Sequence, residues 1–236
     1  MSKIAREEIL SRIAGALKHE SSRAPGAVSN GSRQAAQRIE HGRELERGEL
    51  ITQFENELRA IGGRFYSASS AGAACEYVQR LIAAGLKRAV AWDCQIIQEM
   101  GLAELFEQAG GELVADIDGT SRAEFIRKAT EADVCITAVD YALADTGTLV
   151  LLTGQGRARA ASLLAPVHVA LVRCEQVVAG LTDLFALLRA EKGFSSHNMS
   201  SAVIFITGPS RTADIELTLV VGVHGPQQLH VILIDE

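Results

Sequence analysis

Three short segments in the second half of the chain hold the residues best suited to chemistry. They are Ala144-Asp145-Thr146-Gly147-Thr148, the run TGPSRTADIE from Thr207 to Glu216, and Gly222-Val223-His224-Gly225-Pro226. Each sets glycine, hydroxyls or ionisable groups at the end of an apolar run. Loops of that composition can turn backbone N–H groups toward an anion. Arg211 carries a planar guanidinium that can grip a carboxylate or phosphate through two parallel hydrogen bonds, or can pair with Asp214 or Glu216. Thr146, Gly147, Thr148, Gly208, Ser210 and Thr212 accompany it as ligand-binding candidates. Asp145 and His224 are the catalytic candidates. A carboxylate beside a glycine turn can act as base or nucleophile, or can cap the turn. An imidazole between glycines can transfer a proton or contact a ligand.

Weaker candidates surround these. Arg159 is a second cation for a ligand, or a surface residue near Arg157. Asp140 follows an apolar run and could line the same edge. His168 opens an apolar strand and reads as a core histidine, and His197 lies in the polar loop GFSSHNMSS. In open α/β sheets ligands sit beyond the carboxyl ends of the strands, so that edge is the expected meeting place.

Several chemistries are absent from the sequence. The four cysteines, Cys75, Cys94, Cys135 and Cys174, form no close pair, and no HExxH, GxGxxG or GxxxxGK[ST] occurs. Metal, iron–sulfur, dinucleotide and P-loop sites normally show such spacings. No resident metal or other cofactor is expected. A net charge of −6 without a basic run argues against nucleic acid as partner. The N-terminus has no signal-peptide core and no apolar run reaches membrane-span length, which points to a cytoplasmic protein.

The elements that must position these residues follow from periodicity. Residues 3–18 read as an amphipathic helix, 19–32 as a mobile linker and 33–47 as a charged helix or arm, so residues 1–48 form an N-terminal extension and 49–236 the main α/β domain. Leu50, Phe54, Leu58 and Ile61 make a helical stripe that Gly62-Gly63 ends. Short strands are expected at RFYSAS, Arg88–Trp92, Glu112–Ala115, Val134–Ala138, Thr148–Thr153, Val167–Arg173, Ala202–Thr207 and Leu229–Ile234. Helices are expected at 71–85, 95–108 and 176–189, the last with Val177, Leu181, Leu184, Phe185 and Leu188 toward the core. Ser121 and Glu124 form a capping box for a further helix. Strands apolar throughout, separated by helices, mean a mainly parallel sheet covered on both faces. Residues 212–222 alternate like a strand, but the reading favoured is a short helix whose N-terminus would face the anion.

The order TGT-LVLL, then R-x-x-S-L-L-x-P-x-H from Arg159 to His168, then TGPSRTADIE and GVHGP, resembles the LUD-domain family, most closely its lactate utilisation protein C group. The likeness runs from about Ile51 to the C-terminus, and REEILSRI near the N-terminus is similar as well. Asp145 departs from it, since Glu is the residue expected there. The resemblance implies the Rossmann-like sheet shared by sugar-phosphate isomerases and CoA transferases. It also implies a part in oxidising L-lactate to pyruvate within a multi-protein system that includes iron–sulfur partners. Lacking cluster cysteines, this chain would be an accessory or substrate-handling component, binding a small anionic ligand. The alternative is a stand-alone isomerase- or transferase-like enzyme acting on a carboxylated, phosphorylated or CoA-linked small molecule. A homo-oligomer formed through the N-terminal arm is a further expectation.

Overall fold

The computed structural model describes residues 47–116, 121–192, 200–213 and 219–235. The helix expected at 3–18, the linker at 19–32, the arm before Arg47, and His197, Asp214 and Glu216 lie outside the described residues.

Helix α1 spans residues 47–60. It buries Phe54 and Leu58 completely and rests Leu50 and Ile61 against the core. Its chain reverses at Gly62, where φ is 89°, and the Gly63 N–H reaches back to the Leu58 carbonyl. Only glycine takes that backbone conformation without strain.

Six parallel strands then form the main sheet, in the order β1 (Arg64–Ala68), β12 (Gln228–Ile234), β7 (Val167–Arg173), β4 (Val134–Ala138), β2 (Arg88–Trp92) and β3 (Glu112–Asp116). Every residue of β4 and residues 167–172 of β7 are buried, so both faces of the sheet centre are covered. Helix α2 (Ala71–Ala83) starts at Ser70, whose side chain accepts the Ala73 N–H, and it buries Ala74, Val78 and Ile82. The single helix expected at 95–108 is two, α3 (Gln95–Glu99) and α4 (Leu102–Gln108). Gly101 at φ 59° breaks it. Helix α5 (Arg122–Glu131) begins where the capping box placed it, with Ser121 accepting the Glu124 N–H.

A second, mostly antiparallel sheet runs β8 (Val177–Val178), β5 (Tyr141–Leu143), β6 (Thr148–Leu152), β9 (Val203–Ile206). Strand alternation splits β6 between two cores. Leu149 and Leu151 join the main core, while Val150 and Leu152 pack with Leu184, Leu187 and Leu188 of helix α6 (Leu181–Lys192). The layers are therefore main sheet, small sheet and α6. The helix expected at 176–189 starts later than its apolar pattern suggested, because a 3-10 turn at Cys174–Gln176 leads into β8. Val177 is a strand residue, and Leu181 and Phe185 are about half exposed, at 48% and 47%.

The short helix favoured for 212–222 is also corrected. Strands β10 (Arg211–Ala213) and β11 (Leu219–Val221) pair antiparallel, with Arg211 opposite Val221. The two-residue alternation of the segment prevails over its Gly-Pro-Ser start. Among the described residues Arg211–Ala213 is a strand, so no helix starts at Arg211. Among the described residues no helix is long and apolar enough to cross a membrane.

Candidate functional site

The three chemistry-bearing segments meet. The hydroxyls of Thr148 and Thr207 lie 2.8 Å apart, joining the β5–β6 turn to the end of β9. The Ser210 N–H donates to the Pro226 carbonyl at 2.8 Å, and the Gly222 N–H donates to the Ser210 carbonyl at 2.9 Å. Gly225 passes so close to Ser210 that a Cβ there would stand 3.2 Å from the serine Cβ.

Helix α1 is the wall on which these loops rest. Gly147, at φ 63°, lies directly on the backbone of Glu57 and Leu58, where any Cβ would collide. Its role is this close helix approach. Gly208, at φ 88°, packs on Ile61 in the same way. The Arg211 guanidinium covers Gly62 and occupies the space a side chain there would need. The TGT turn rests on the last turn of α1, and Arg211 on the glycine turn that ends it.

This cluster lies at the amino edge of the main sheet. Gln227 and Gln228 N–H groups both donate to the Pro166 carbonyl, just before β7 begins, and Gly62 lies two residues before β1. The carboxyl edge was expected. Thr207, however, follows β9, a strand of the small sheet, and that sheet carries the chain back across the main one.

Three of the loop N–H groups are already engaged. The N–H groups of Asp145, Ser210 and Gly222 are already given to the carbonyls of Ala179, Pro226 and Ser210. Those positions cannot form the backbone anion cradle that their composition suggested. Arg211 is exposed, and among the described residues it has no ion-pair partner. Ser210 and Thr212 flank it, both half-buried, and His224 is exposed beside Gly225. The Asp145 carboxylate is turned onto Gly180, ahead of α6, and accepts the Thr146 hydroxyl at 3.1 Å. A negative charge there suits the N-terminal end of a helix.

The remaining candidates lie elsewhere. At the carboxyl edge Asp140 is fully engaged, with one oxygen 2.9 Å from Arg157 and the other accepting the Leu152 N–H at 2.6 Å. Arg157 also stacks 4.7 Å from the Trp92 ring, and the Trp92 indole N–H donates to the Ala158 carbonyl at 3.0 Å. Arg159 opens a 3-10 turn packed over β2 and β4 and does not join the Arg211 cluster. Sequence reasoning missed Arg157 and the wall formed by α1. Gly62-Gly63 signalled a helix end, but nothing local said that an arginine 149 positions further on, at residue 211, would lie over it.

His168 is fully buried. Its Nε2 is 2.9 Å from the Thr137 hydroxyl, and its Nδ1 has no partner among the described residues. Burial, with the neighbouring His230, holds its pKa down to about 4, so it is neutral. Burial likewise raises all four cysteine thiols, Cys174 to about 12, which makes them poor nucleophiles. Among the described residues no three His, Cys, Asp or Glu side chains gather as metal ligands would.

Residues 51–234 match the LUD domain family. Lactate utilization protein C of Bacillus subtilis is 31% identical over 236 residues, covering 98% of this chain and 96% of that protein. The protein of the same name from Shouchella clausii is 31% identical over 82% of each chain. That from Halalkalibacterium halodurans is 35% identical, but the match spans 64% of each chain. Among solved structures, a DUF162 family protein from Deinococcus radiodurans superposes with a TM-score of 0.52 at 22% identity. The superposition covers 80% of this chain and 98% of the other, a likeness of fold. With the domain matched along nearly all of its described length, the chain belongs to the LUD-domain family.

Proposed function

We propose that this chain serves lactate utilisation, as an accessory or substrate-handling component of a system that oxidises L-lactate to pyruvate in the cytoplasm. The observation that carries this reading is the likeness to Bacillus subtilis lactate utilization protein C along 98% of the chain. Lactate and pyruvate share a small carboxylate, the group a planar guanidinium binds best. Arg211 is the residue we assign to it, with Thr148, Ser210 and Thr212 supplying hydroxyls. His224, exposed in the same loop cluster, is the group to which we assign proton transfer. Asp145 is the second such group, and its carboxylate would first have to leave Gly180. Removing two electrons from lactate requires an acceptor; the cysteines of this chain form no close pair, and the acceptor we propose is the iron–sulfur partners that the family resemblance implies.

Deleting the gene and growing the host on L-lactate as sole carbon source tests the reading. Growth should fail on lactate, persist on glucose and return with the wild-type chain. Undiminished growth on lactate would contradict it. Turnover of a carboxylated, phosphorylated or CoA-linked compound by the purified chain alone would favour a stand-alone enzyme instead.

A further inference from the structure

We infer that the sheet face covered by α2 carries a second anion site, which takes a phosphoryl group on Arg64, Arg80 and the Gln228 amide over a platform of Tyr66 and Tyr77. Arg64 of β1 and His230 of β12 are register partners, so their side chains share a face. Tyr66 and Gln228, two residues away along each strand, share it too. Tyr77 of α2 packs onto them. Its ring stacks on Tyr66 with centroids 4.6 Å apart, and its hydroxyl lies 2.8 Å from His230 Nδ1.

A directed chain of hydrogen bonds locks this platform. The Gln228 Oε1 lies 3.3 Å from His230 Nε2. An amide oxygen can only accept, so Nε2 carries the proton. Burial and the Arg64 charge hold the His230 imidazole to about 4, so the ring is neutral and its Nδ1 accepts the Tyr77 O–H. The chain runs from Tyr77 through His230 to Gln228. It fixes the Tyr77 ring and leaves the Gln228 amide nitrogen, a double donor, without a partner among the described residues.

Arg80 lies over both tyrosine rings, 5.2 Å from each centroid. Stacking orients a guanidinium while its N–H donors stay in the plane, at the rim of the rings. Arg157 is stacked as well, but its donors go to Asp140 and the Leu152 carbonyl. Glu76 stands one turn before Arg80 on α2, a spacing that commonly forms an ion pair. Even so, neither Arg80 nor Arg64 has an ion pair among the described residues. Both cations act on one phenol: burial raises Tyr77, and Arg64 and Arg80 pull it down. Arg64, Arg80 and Gln228 are all exposed, so a solute can reach them. Two guanidinia and an amide suit a doubly charged, many-oxygened anion better than a single carboxylate. A phosphoryl group has that charge and those acceptors. The site is separate from the Arg211 cluster and does not depend on the lactate reading.

Calorimetric titration of the full chain with inorganic phosphate, at constant ionic strength, tests this. Wild type should bind one phosphate, and acetate about tenfold more weakly or less. Arg64→Gln and Arg80→Gln, both at exposed positions, should each weaken phosphate about tenfold or more with the circular dichroism spectrum unchanged. Tyr66→Leu keeps both charges and removes half of the platform, so it should weaken phosphate as well, which a diffuse attraction to cations would not predict. Arg211→Lys should leave the affinity unchanged. A folded wild-type chain that binds no phosphate overturns the inference. So does binding that Arg64→Gln and Arg80→Gln leave intact, as it would be if phosphate sat at Arg211.

Discussion

The two edges of the main sheet carry the same kinds of side chain and use them in opposite ways. At the carboxyl edge Arg157 is held by Asp140, by the Leu152 carbonyl and by the Trp92 ring. At the amino edge Arg211 lies over a glycine, exposed and without an ion-pair partner among the described residues. The first arginine is engaged by an anion, a carbonyl and a ring of the fold, contacts that stabilise it. The second has no such set of partners among the described residues. Residue type and a nearby strand end are therefore poor guides to a site, and the state of a cation's partners is a better one.

The contrast can be broken by substitution at either edge. Asp140→Ala removes the anion that, among the described residues, pairs with the partly buried Arg157, and it leaves the Leu152 N–H unsatisfied. It should cost about 3 to 4 kcal/mol of stability, read as a lower denaturation midpoint. A loss below about 1 kcal/mol would show that the carboxyl-edge pair is as dispensable as an exposed one.

The histidines repeat the contrast between buried sheet and exposed loop. His168 has a folded pKa of about 4 against about 6.5 unfolded. Between those values the unfolded state binds the extra proton. The stability from the neutral ring is whole above about pH 6.5 and is lost as pH falls to about 4, in all about 3 kcal/mol. His230, also held near 4, by burial and by Arg64, adds loss in the same window. Denaturation curves from neutral pH to about pH 4 should show a shallower decline for His168→Gln than for wild type. Equal declines would mean that His168 is not buried as a neutral ring.

A smaller effect is expected where the amino-edge loops rest on α1. Gly147→Ala forces a Cβ into the Leu58 backbone at a positive φ, and should cost about 2 kcal/mol. Protection of α1 amides against exchange should fall with it. Unchanged protection would detach the turn from the helix. The smallest effect on stability belongs to Arg211, whose replacement should move it by no more than about 0.5 kcal/mol.

How much of this was legible depended on how local the signal was. Strands β2, β4 and β7 were readable to the residue because strands buried on both faces are apolar along most of their length. The Ser121 cap was equally plain. Strands β5 and β8, of three and two residues, are too short to carry a period. The start of α6 was misplaced because Val177 continues the helical stripe in sequence while pairing in a sheet. The meeting of the TGT, GPSRT and GVHGP loops was anticipated from their chemistry. Their edge was not, because it depends on the small sheet reversing direction over the main one, a long-range fact. Only the α1 contacts show that Gly147 serves packing and that Arg211 has no partner in that wall.

The measurement that bears most directly on the amino-edge site is lactate-dependent growth of the deletion strain carrying Arg211→Lys, beside the melting temperature of the purified variant. Lysine keeps the charge and loses the planar fork. Growth on L-lactate should be impaired at an unchanged melting temperature, with ligand affinity reduced by about 1.5 to 3 kcal/mol. Full growth on lactate at an unchanged melting temperature would contradict the assignment and make Arg211 a surface residue.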